Sequence, residues 1–183
     1  VLNAGGDISV TGTVQAIDVV DIDGVAVTLG TLDSSGGNVL ATGLVDIGSV
    51  LGRTHVIQGS AVSLGSVDLN GGSAVLNAAG NVTIANSSLA SLLDIDATGS
   101  IGFANINARD IQLTAGGNIA GTSAISPTAT GGVFDRVVLN SAGNIAIAGM
   151  VQAADIVDID GVNVSIGTMN SSSGNILASG TAD

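Results

Sequence analysis

A short motif recurs along this chain: a small or turn-forming residue, then aliphatic side chains at every second position. It reads GDISVTG from Gly6, GVAVTLG from Gly24, GLVDIGS from Gly43 and GSAVSLG from Gly59. It returns as GNVTIAN from Gly80, GSIGFAN from Gly99, GNIAG from Gly117, GNIAIAG from Gly143 and GVNVSIG from Gly161. The starts are evenly spaced apart from one longer step, between Gly117 and Gly143. Side chains alternate across a strand, so Ile8 and Val10, or Val162, Val164 and Ile166, share one face. One such unit cannot bury that face alone, whereas a stack of them can. A period of about 19 residues suits one circuit of a parallel β-helix, with three short strands and three turns. The expectation is an all-β parallel β-helix, a solenoid of about nine to ten coils of roughly 19 residues over the 183-residue chain. Gly is expected to supply positive φ at the corners.

The coil repeat lies inside a longer one. Val1–Asp46 aligns without gaps to Val138–Asp183, with 27 of 46 pairs identical, at an offset of 137 in the numbering. That offset equals seven coil intervals. VLNAAGNVTIA from Val75 is a third, partial echo of the same opening. Neither end reads as the atypical capping repeat that closes a solenoid. Residues 1–183 are therefore expected to be one segment of a longer repetitive chain, or a unit that stacks end to end on identical chains. The long step from Gly117 to Gly143 contains GTSAISPTATGG, residues 121–132, with the chain's single proline, Pro127. Proline cannot donate to a strand ladder, so 121–132 is expected to be a loop inserted into one coil.

Composition narrows the function classes. All fifteen acids are Asp, all three cations are Arg, and Glu and Lys are absent. Without Glu and Lys the chain lacks two of the residues that, with Ala and Leu, make surface helices self-supporting. Mean hydropathy is positive, yet no stretch approaches the roughly 18 consecutive apolar residues of a membrane-spanning helix. A chain with two Phe and no Trp or Tyr also lacks the aromatic girdles of a membrane barrel. A net charge of −12 argues against nucleic acid, whose binders cluster Lys and Arg. The absence of Cys removes disulfides, zinc–thiolate sites and thiol chemistry. The polysaccharide-cleaving enzymes built on this helix need clustered carboxylates or bases and aromatic platforms. Three scattered Arg do not provide them, and no enzyme is expected.

Four segments carry a resemblance: VLNAGGDISVTG from Val1, VLNAAGNVTIAN from Val75, IQLTAGGNIAG from Ile111 and VLNSAGNIAIAG from Val138. They resemble the L-x-A-G-G-x-I-x-L-x-A style repeats of filamentous haemagglutinin-like proteins, secreted adhesins of two-partner secretion in Gram-negative bacteria. The resemblance implies a right-handed β-helical shaft, exported and displayed on the bacterial cell surface, with a host-cell or matrix ligand as partner. It carries over no binding residue. Two other readings stand beside it: a self-assembling extracellular filament, and a solenoid module that binds glycan or calcium.

Individual candidates are few. DVVDIDG, with Asp18, Asp21 and Asp23, recurs as Asp155, Asp158 and Asp160, and resembles half of an EF-hand loop. Calcium takes six to eight oxygen ligands. Here Val19 stands where an acid belongs and no Glu exists, so a solvated outer edge is the favoured reading, with Ca²⁺ as the rival and no other cofactor expected. Asn3, Asn77 and Asn140 hold equivalent positions and are expected to form an internal structural ladder, each amide stacking on the coil above. His55, beside Arg53, has neither a Cys nor a second His to share a metal.

Overall fold

The structure, a computed structural model, is described for residues 1–89, 91–126, 135–171 and 176–182. The described residues are mostly strand and contain no helix. The strands are β1 (Leu2–Asn3), β2 (Ile8–Gly24), β3 (Val27–Ala41), β4 (Leu44–Gly59), β5 (Ala61–Ala78), β6 (Val82–Leu89), β7 (Leu92–Ala97) and β8 (Ile101–Asn107). They continue as β9 (Asp110–Ala115), β10 (Ile119–Gly121), β11 (Ile125–Ser126), β12 (Arg136–Ser141), β13 (Ile145–Ala153), β14 (Ile156–Ser171) and β15 (Ile176–Ala182). All belong to one sheet and every pairing is parallel.

This is a β-solenoid of about 8 turns of about 19 residues, slightly fewer than the nine to ten expected. The shortfall has a simple cause. The circuit from Asp110 to its register partner Arg136 is much longer than the one from Leu92 to Asp110, and the outermost rungs are incomplete.

Register explains the core. Ile8, Val27, Val45, Val62, Val82, Ile101, Ile119, Ile145 and Val164 pair rung upon rung. A second column runs from Val14 through Leu32, Val50, Val67, Ser87, Ile106, Ile125 and Val151 to Met169. A third holds Val20, Gly37, His55, Ala74, Leu93, Ile111, Val137 and Val157. The fourth holds Ile22, Val39, Ile57, Leu76, Ile95, Leu113, Leu139 and Ile159. Most of these side chains are buried, and each fully buried aliphatic adds roughly 1.5–3 kcal/mol of transfer free energy. Backbone pairing continues through the bends: Gly43 N–H donates to Val25 O at 2.6 Å and Gly117 N–H to Gly99 O at 2.8 Å.

The expected role of glycine needs correction. Only Gly52 and Gly180 have positive φ among the described residues. Glycine is required chiefly for close stacking. Gly30, Gly48 and Gly65 lie in register on successive coils, and a Cβ on any of them would overlap a backbone carbonyl of the coil below.

The insertion also sits later than expected. Of residues 121–132, Gly121 pairs with Phe103 and Ile125 with Ile106, and Ile125 is buried in the second column. Gly121, Ile125 and Ser126 therefore belong to the coil, with Ile125 taking its place in the second interior column. The extra length falls between Ser126 and Arg136, and Pro127 lies outside the described residues.

Candidate functional site

The repeated acids lie on the outside of the coil. Asp21 and Asp23 alternate with the buried Val20 and Ile22, and Asp158 and Asp160 alternate with the buried Val157 and Ile159. An i, i+2 pair on a strand shares one face, with its carboxylates held apart by the strand rise. Asp18 is exposed and Asp155 half-buried, and no three acids or His converge into a cation-binding group among the described residues. Above and below, Asp23 meets Asn3 and Leu40, while Asp160 meets Asn140 and Ser179. The Ser179 hydroxyl donates to Asp160 Oδ1.

The structure adds a third acidic pair. Asp94 and Asp96 flank the buried Ile95 and stand in the same two outward columns. Their signal in the sequence is LLDIDATG. Burial, with the Asp96 charge adding to it, pushes the Asp94 carboxyl above its ordinary value.

Asn3, Asn77 and Asn140 do share one register column, but they face outward and are separated along it. Asn77 lies between Gln58 and Asp96, and Asn140 between Thr114 and Asp160. The side-chain ladder is elsewhere, just before the first inward run of each coil. Ser100 N–H donates to Asn81 Oδ1 at 2.8 Å, Asn118 N–H to Ser100 Oγ at 3.0 Å, and Asn144 N–H to Asn118 Oδ1 at 2.8 Å. Asn163 Nδ2 then donates to Asn144 Oδ1 at 2.8 Å. Each polar side chain thus satisfies a donor of the coil above, adding to the backbone pairing that continues through the bend. The recurring Gly-Asn and Gly-Ser pairs of the motif are its signature.

Two of the chain's three arginines meet at the base of the insertion. Arg136 stands in register over Asp110, with Nε 3.7 Å from Asp110 Oδ1, and Arg109 Nε lies 3.9 Å from Asp110 Oδ2. Asp135, the neighbour of Arg136, is only 5% exposed and its Oδ1 has no hydrogen-bond partner. Burial raises the Asp135 carboxyl above its usual range; attraction from Arg109 opposes this and repulsion from Asp110 reinforces it. Arg136 and Asp110 thus face each other on adjacent rungs, a half-exposed ion pair where the described chain resumes at Asp135. No protein-family model, curated protein or solved structure matches the chain.

His55 lies in the solenoid interior at 0% exposure. A side chain so enclosed cannot act on a substrate arriving from solvent. Along the bend after the fourth column run two shallow grooves of about 440 and 420 Å³ that share Gln58. Their floor is the small-residue series Gly24, Ala41, Gly59, Ala78 and Ala97, and Asp23, Asn77 and Asp96 stand on the rim. The rim side chains stand one or more coil spacings apart along the axis.

Proposed function

We propose that this chain is the shaft of a secreted, bacterial cell-surface fibrous adhesin of the filamentous haemagglutinin-like kind, with a mechanical and not a catalytic task. One observation carries the reading: coils stack in register on unbroken columns, and a block of seven coils recurs. Such stacking converts sequence into length at about 4.8 Å per coil, roughly 34 Å per block. A packed interior resists bending, so a moderate number of residues projects whatever the chain carries away from its origin. The outward acids support the same role, because like charge keeps neighbouring rods apart and soluble. Partners in this reading are adjoining repeats along the axis and a host-cell or matrix ligand engaged by another part of the fibre.

Immunoelectron microscopy on intact producing cells tests it, using antibodies raised against residues 1–183. Label outside the envelope, on fibres whose loss upon gene deletion also abolishes attachment, is the expected result. Label confined to the cell interior would overturn the proposal. Fibres that dissociate on dilution into units of one chain each would favour the assembled-filament reading over the single-chain shaft.

A further inference from the structure

The third interior column is aliphatic or small at every described rung except one. There His55 replaces the Val, Leu or Ile found in other coils, with Gly37 on the rung below and Ala74 on the rung above. The exchange is matched in volume: a Cβ on Gly37 would lie 2.7 Å from His55 Nδ1, so the ring occupies space that the glycine leaves. Nε2 donates to the Leu51 carbonyl at 3.1 Å, inside the tight bend where Gly52 has φ +124°. That contact fixes the proton on Nε2. Nδ1 is buried and has no hydrogen-bond partner. The neutral ring fits this place, whereas an imidazolium would bring a second N–H and a full charge into an apolar stack.

The ring is enclosed by β3, β4 and β5, whose charged residues are Asp33 on β3, Asp46 and Arg53 on β4, and Asp68 on β5. Asp46, Arg53 and Asp68 are exposed, and Asp33, half-buried, accepts a hydrogen bond from Gln15 Nε2 at 2.9 Å. Of these only Asp33 acts appreciably on the imidazole. Burial lowers the His55 pKa below its ordinary value; the backbone at Leu51 and Ser34 and the Asp33 charge oppose this without prevailing. In the opened chain the ring regains its ordinary affinity for protons. The open state therefore binds more protons than the closed one below about pH 6.5, and stability falls as pH drops through that point.

We propose that His55 makes the stretch from β3 to β5 an acid-sensitive seam, closed while the imidazole is neutral and opened locally when the ring takes a second proton. This inference is independent of where the protein resides.

The chain holds a single His, so its imidazole nitrogens can be followed by NMR without ambiguity. Between pH 7.5 and 5.0, the expected result is an Nε2–H tautomer that does not titrate near 6.5 while the coil is closed. Over the same range, amide protection factors in β3–β5 should fall relative to β8–β10. The opening constant should rise by up to about tenfold per pH unit below 6.5. In His55→Leu that pH-dependent difference should vanish. If the Leu variant does not fold, the wild-type titration and protection map still decide the matter. An imidazole that titrates near 6.5 with β3–β5 protection unchanged would overturn the proposal. So would a Leu variant that loses protection in acid as wild type does.

Discussion

Asp135 and Asp94 hold buried carboxylate oxygens without hydrogen-bond partners, in a protein whose other described acids are mostly solvated. A folded-state pKa raised above the ordinary 3.8 means that ionisation opposes folding. The penalty is complete well above the raised value and disappears below 3.8. Asp135→Asn removes that charge while keeping the shape. It should raise the melting temperature at pH 7 and leave it unchanged near pH 3, as scanning calorimetry would show. Neither this site nor the burial of His55 was legible from sequence. RTHVIQG places His55 in phase with Ile57, but an alternating pattern does not say that a polar ring goes inward. That needs Gly37 and Ala74, each a full coil away along the chain, to be known as its neighbours. The Arg136–Asp110 pair was hidden for the same reason, since its members lie a long circuit apart in the sequence.

The coil is the element of this fold, and its inward and outward positions should respond differently. Leu76 is fully buried between Ile57 and Ile95 in the fourth column. Leu76→Ala should destabilise by about 2–5 kcal/mol in urea unfolding. The outward neighbour change Val75→Thr should shift stability by no more than about 0.5 kcal/mol. The polar ladder gives a second contrast. Asn118→Ala deprives the Asn144 N–H of its acceptor and should cost about 0.5–1.5 kcal/mol by the same measurement. Asn77→Ala, in the outward column, should change little. Strand alternation and coil length were readable because a period of two fixes which face each residue takes. The ladder was not, because asparagines recurring in VLN segments are more conspicuous than the Gly-Asn pairs that follow them. Glycine misleads for a related reason. Its abundance suggests turns, while the stacking of Gly30 on neighbouring backbone demands the absence of a side chain whatever φ is.

For the whole molecule the repeat determines shape, and shape bears on use. A seven-coil offset between Val1–Asp46 and Val138–Asp183 superimposes chemistry as well as sequence, so Ile8 and Ile145 enter the same interior column. Everything proposed about reach depends on distance growing linearly along that axis. The cysteine-free chain permits paired spin labels at introduced cysteines, and the column from Thr28 through Thr83 and Ala120 to Ser165 offers solvent-facing sites three, five and seven rungs apart. Pulsed dipolar spectroscopy on the pairs 28/83, 28/120 and 28/165 should give separations near ~14, ~24 and ~34 Å, in proportion to rung number. Separations that fail to increase in that order, as folded-back hairpins or a compact sandwich would give, would contradict the stacked solenoid.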